Sequence, residues 1–281
     1  MREAARRIIG VDFSSAPSRR KPIVVAGGRL DGDTLHVQGL IAFDNLQSYA
    51  DWLARRGADG GWIGGFDLPF GLPRELLRAL GWPLDWRASV AHYAALSREE
   101  IREIFRAFCA ARPAGGKFAH RACDWPAGSS PSMKWVNPPV AFMLHAGLPP
   151  LLGAGAAFPA HGLPPARAGM PVALEAYPGW LARQIVKASY KSDARAKQNA
   201  ARREARKTIV AALEAGGPLG MPLLLAQGLR ERLLEDGSGD SLDAVLCVLQ
   251  AAWASRQEGY GLPEGVDPLE GWIAAVPAPR A

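Results

Sequence analysis

Three apolar runs lie within the first 42 residues, and their order leaves the chain few ways to fold. Residues 8–13, 22–28 and 34–42 are rich in strand formers. Gly27-Gly28 and Asp31-Gly32-Asp33 supply turns between them, so an antiparallel meander is expected. Asn45 is placed to cap a helix over residues 46–56, where Leu46, Tyr49 and Leu53 recur at helical spacing. The segment GADGG ends that helix, and residues 62–66 form a short apolar strand that runs into Asp67-Leu-Pro-Phe-Gly-Leu-Pro73. The order strand, strand, strand, helix, strand predicts an α/β chain with a mixed central sheet and antiparallel first three strands.

A helical and loop insertion is expected at about 74–170. Residues 74–80 read as a short helix, and Ser97-Arg-Glu-Glu100 is a capping box opening a helix to about residue 111. Residues 113–171 are rich in Gly, Pro and Ala and predict loops with short helices. The longest uncharged stretch, 140–160, is interrupted by Pro149, Pro150, Pro159 and several glycines, so it reads as loop and packing segment, not as a membrane span. A strand at 171–178, a basic helical region, a helix at 221–234, a long helix from about 239 to 255 and a final strand at 271–277 complete the reading. With 281 residues, 48% of them apolar, the chain can bury a large core and is read as one domain, 1–281. Cys109, Cys123 and Cys247 are scattered, with no C-x-x-C pair, which predicts reduced thiols and a cytoplasmic protein. The first apolar run is too short for a signal peptide and ends on Asp12, so no leader and no membrane association are expected.

Four carboxylate positions share one trait: each lies at the edge of an apolar segment, where a charge is costly unless compensated. Asp12 ends the first strand, Asp67 follows the fourth, Glu175 sits in VALEAYP, and Asp240 with Asp243 opens the last long helix. Each has an ordinary explanation. Asp12 can cap the turn at Ser14–Pro17, Asp67 can make an Asx-turn before Pro69, and Glu175 can pair with an arginine. Asp240 is a good N-cap, with Asp243 at a position the helix dipole favours. Asp243 fits that explanation least, since Leu242, Val245, Leu246, Leu249 and Trp253 form a buried stripe and Ala244, Cys247 and Ala251 extend it. Strand ends from one sheet can bring such groups together. A carboxylate cluster without lysines nearby would repel itself, and a hard divalent cation, Mg²⁺ or Mn²⁺, resolves that.

Charge is uneven along the chain. Residues 181–208 hold nine Lys/Arg against two acids, a local balance of +7 in a chain of net charge +6. A basic segment of this kind is an electrostatic footprint for phosphate-rich ligands.

IIGVDFSSA, WIGGFDLPFGLP, VALEAYPGWL and GDSLDAVLCVLQAAWA, in that order and followed by EGWI, resemble the RNase H-like predicted nuclease family known as domain of unknown function 429. The resemblance spans most of the chain and covers the insertion least. It implies an RNase H-like fold and hydrolysis of nucleic-acid phosphodiesters with two divalent ions, Mg²⁺ or Mn²⁺. Asp12, Asp67 and Asp243 would be the catalytic ligands, with Glu175 and Asp240 as further metal ligands or supporting groups. Lys191, Lys197, Arg202 and Arg203 would follow the DNA or RNA backbone. Lys134, with Trp125 and Trp135, would meet unpaired bases. Three rival readings stand beside it: a nucleic-acid-binding protein without catalysis, an actin- or sugar-kinase-like protein whose Phe13-Ser-Ser-Ala16 turn holds ATP phosphate, and a metal-dependent hydrolase of a small phosphorylated metabolite. The kinase-like reading calls for a second, duplicated half, and the sequence contains no internal repeat.

Overall fold

The computed structural model describes residues 7–58, 61–162 and 169–278. The N-terminal leader reading, the centre of GADGG and residues 163–168 of the insertion lie outside them. Six strands form one mixed sheet: β1 (Arg7–Asp12), β2 (Ile23–Asp31), β3 (Thr34–Phe43), β4 (Trp62–Asp67), β5 (Val172–Glu175) and β6 (Leu223–Leu225), in the order β5-β4-β1-β2-β3-β6. β1 lies inside the sheet, antiparallel to β2 and parallel to β4. β2 and β3 are antiparallel, while β5 joins β4 and β6 joins β3 in parallel. The expected meander and mixed sheet are therefore present.

Helices cover both faces. On one lie α1 (Leu46–Ala58) and the insertion helices α2 (Arg74–Ala79), α3 (Trp86–Ala95), α4 (Arg98–Ala110) and α6 (Val140–Gly153), while the short α5 (Asp124–Ala127) packs in a separate small cluster with Trp272, Ile273 and Val276. On the other lie α7 (Pro178–Ile185), α8 (Ala200–Glu214), α9 (Leu229–Glu235) and α10 (Asp240–Ala254). The two-residue period of β1 divides its side chains between these cores. Ile9, Val11 and Phe13 join the insertion-side core and Ile8 the other. The sequence caps are real: Asn45 accepts from the Ser48 amide at 2.8 Å, and Ser97 with Glu100 forms the full capping box.

Four expectations fail for local reasons. Residues 140–153 form a helix, although Pro149 and Pro150 lie inside it. Both prolines fall near its C-terminal end, and burial of Phe142, Leu144, Leu148 and Leu151 offsets the lost amide bonds. The segment 221–234 is not one helix. Residues 223–225 pair with Leu35–Val37 as an edge strand, and Gly228, at φ 79°, turns the chain into α9. Residues 271–277 make no strand, only a bridge between Ile273 and Glu175, because Gly271 and Ala275 adopt positive φ. Asp240 is not an N-cap: Gly239, at φ 81°, occupies that position and Asp240 is the first helical residue. Among the described residues no helix is long and apolar enough to cross a membrane.

Candidate metal centre

Two glycines position the site. Gly10 of β1 and Gly65 of β4 are neighbours in register, and both face α10. A methyl group on Gly10 would stand 2.0 Å from the Val248 amide nitrogen, and one on Gly65 would stand 2.3 Å from the Cys247 carbonyl oxygen. The buried helix therefore lies directly on the two strand backbones, an approach open only to glycine. Two residues further along each strand, on the same face, come Asp12 and Asp67, again in register. Asp243, in the first turn of α10, meets them there. One carboxylate oxygen from each of Asp12, Asp67 and Asp243 lies within 4.8 Å of the other two.

These carboxyls are poorly hydrated. Asp243 is fully buried, Asp12 nearly so and Asp67 partly. Burial raises the Asp12 carboxyl well above the usual carboxylate range, and the charges of Asp243 and Asp240 push it further. Burial likewise brings Asp67 up to about 7, with Lys191 opposing and Asp243 reinforcing the shift.

Contrary to the expectation of a cluster without lysines, two lysines are built into the site. Lys191 pairs with Asp243, whose other oxygen accepts from the Tyr190 hydroxyl. Lys21, from the segment between β1 and β2, bridges Asp240 at 2.6 Å and Asp193 at 2.7 Å. Burial alone would lower both ammonium pKa values; Asp243 beside Lys191 and Asp240 beside Lys21 outweigh it and hold them above normal. Asp240 is thus tied to Lys21 and stands outside the three-carboxylate group.

Glu175 is committed elsewhere. Arg121, fully buried, donates to both its oxygens at 2.6 and 2.7 Å, and the Phe70 amide donates to it at 2.9 Å. Arg121 also bonds Asp124 at 3.0 Å, and Glu270 accepts from the Arg74 and Ala122 amides. This network fastens the insertion to the end of β5, with both Glu175 oxygens taken although the residue borders the same cavity.

The remaining predicted residues are dispersed. Arg202 donates to the Lys191 and Lys197 carbonyls, so it holds the Lys191 loop in shape. Arg203 pairs with Glu235. Lys197 is exposed, and Lys134 is half-buried in the loop before α6. Trp125 is 71% exposed and stacks on His120, whereas Trp135 packs against Phe118. Sequence reasoning missed Lys21, Tyr190 and Arg121. A signal for the triad lay in the repeated G-x-D spacing, Gly10–Asp12 and Gly65–Asp67, which marks two strands that admit the same helix.

The site opens into a cavity of about 530 Å³, lined by Asp12, Asp67 and Lys191 together with residues of the β1–β2 segment and of the insertion. Comparison with known protein families, with curated proteins and with solved structures finds no match.

Proposed function

We propose that the chain is an RNase H-like, metal-dependent nuclease that hydrolyses nucleic-acid phosphodiesters with Mg²⁺ or Mn²⁺. The observation that carries this reading is the convergence of Asp12, Asp67 and Asp243 from a central strand, its parallel neighbour and the buried helix. The strand order, with antiparallel β2 and β3 on one side of β1 and parallel β4 and β5 on the other, supports the RNase H-like assignment and the resemblance to domain of unknown function 429. The donor set fits a hard cation: three converging carboxylates, two of which, Asp12 and Asp67, burial holds above the usual carboxylate range. Such a cation supplies charge neutralisation and polarisation of phosphoryl oxygens when bound.

The chain's own groups do the rest. Asp12, Asp67 and Asp243 bind, and Tyr190 fixes the orientation of Asp243 by its hydrogen bond. Lys191 neutralises Asp243 in the metal-free protein, and its partly exposed side chain can swing from that carboxylate toward a substrate phosphate. Lys21 keeps Asp240 from adding to the local negative charge.

The test is a cleavage series on DNA and RNA with Mn²⁺ or EDTA. Cleavage in Mn²⁺, its loss in EDTA and its loss in Asp12→Asn are expected. A protein that cuts nothing in Mn²⁺ and hydrolyses ATP instead overturns the nuclease reading in favour of the kinase-like one.

A further inference from the structure

We propose that the site accepts one unpaired nucleotide unit, either a free nucleotide ester or the end residue of a single strand, and excludes an uninterrupted duplex. This rests on the metal-dependent phosphodiester reading above and names its substrate class. Three observations lead to it.

The first is the shape of the access. The triad lies at the bottom of a partly open recess. It opens on a cavity of about 530 Å³, in the range of about 300–1,000 Å³ that holds a single small organic ligand. Its walls come from distant parts of the chain, Ser14 to Ala16 after β1, and Pro138 to Val140 with Met143 of the insertion. A double helix keeps each base stacked and paired and must extrude one before it can reach such a cavity. A single extruded nucleotide enters it.

The second is the lining. Met143, Pro138 and Pro139 give apolar surface for a flat base or sugar face, with Phe13 and Leu68 buried behind them. Ser14, Ser130 and Asn137 line the same cavity, and among the described residues their side chains have no hydrogen-bond partner. Polar groups left uncommitted at a ligand-sized cavity are available to fix one polar ligand.

The third is the state of the basic segment. Proteins that follow a duplex by its backbone make several phosphate contacts, on the order of 6–10 in a strongly salt-dependent case. Of the nine basic residues between Leu181 and Thr208, Arg183, Lys191, Arg202, Arg203, Arg206 and Lys207 are bonded within the protein. Arg206 is buried against the Leu234 and Tyr190 carbonyls. Of these nine, Lys191 is the one that lines the cavity, so the basic segment offers the site one phosphate contact rather than a track.

The experiment uses the full chain in Mn²⁺ with three probes: the p-nitrophenyl ester of thymidine 5′-monophosphate, a linear single-stranded oligonucleotide, and covalently closed circular duplex DNA. Mn²⁺ binding is measured on the same preparation by calorimetry. Turnover of the ester alone identifies a free nucleotide ester as the source. Turnover of the ester together with shortening of the linear strand from an end identifies a strand terminus. In both cases the closed circle stays intact. Mn²⁺ binding with nicking of the circle at a rate comparable to the ester overturns the substrate class and leaves the metal reading standing. Mn²⁺ binding with neither ester nor single strand hydrolysed also overturns it. Absence of Mn²⁺ binding removes the reading beneath it as well. Two cavity-filling variants on different walls, Met143→Trp and Ser130→Phe, guard against loss through misfolding of one. Either, when folded, raises KM for the ester at least about tenfold, or about 1.4 kcal/mol, with Mn²⁺ affinity unchanged. An unchanged KM in both refutes the proposal.

Discussion

Asp67→Asn is expected to stabilise the metal-free protein, and to do so only at high pH. Asp67 is a strand-end carboxyl in register with Asp12 and within 4.8 Å of Asp243. Burial brings it from an ordinary 3.8 up to about 7. Between those values the folded chain holds a proton that the unfolded chain has released. Folding stability therefore falls as pH rises through this window and stays low above it. A shift of about 3 units corresponds to at most about 4 kcal/mol at 1.36 kcal/mol per unit. Because the charges of Lys191 and Asp243 also bear on the Asp67 carboxyl, roughly 1–3 kcal/mol is expected for this one substitution. The amide keeps the side chain's shape, and among the described residues no donor hydrogen-bonds the Asp67 carboxylate. Urea unfolding in EDTA at a series of pH values measures the difference. The variant should be the more stable at pH 8, and the gap should shrink toward zero as pH falls to 4. A gap that does not grow with pH, or a variant less stable than wild type at pH 8, refutes the electrostatic account of the triad.

Arg121→Ala leaves Glu175 and Asp124 buried without their common partner and should cost about 3–5 kcal/mol in urea unfolding, more than a surface arginine; a loss below about 1 kcal/mol would mean that water takes over the arginine's role. Gly10→Ala drives a methyl group into the Val248 backbone, so it should destabilise by at least about 2 kcal/mol and also weaken Mn²⁺ binding by lifting Asp243 away from Asp12; calorimetry on the folded fraction checks the second effect.

The sequence made the sheet and the triad legible because both depend on local pattern. Strand runs, the Asn45 cap and the Ser97 box are short-range signals, and a carboxylate at a strand end is conspicuous because burial makes it costly. What escaped it depends on contacts between distant residues. Lys21 reaches Asp240 across 219 positions, and Arg121 reaches Glu175 across 54. Nothing local marks either as a partner. The prolines of α6 argued against a helix that burial of its apolar residues carries through, and three leucines read as a helix turn became an edge strand because β3 offered a free parallel partner. The basic segment was legible as charge but not as structure. Most of its side chains serve the fold, which only the contacts of Arg202, Arg203 and Arg206 reveal.

The most direct test of the central claim is calorimetric titration of Mn²⁺ into wild-type protein, Asp12→Asn and Asp243→Asn at pH 8, with unfolding curves showing that all three are folded. The account predicts saturable binding to wild type and a loss of at least about tenfold in affinity, or about 1.4 kcal/mol, in each variant. Wild-type protein that takes up no Mn²⁺, or variants that bind it as tightly as wild type does, would contradict the assignment of Asp12, Asp67 and Asp243 as a metal centre.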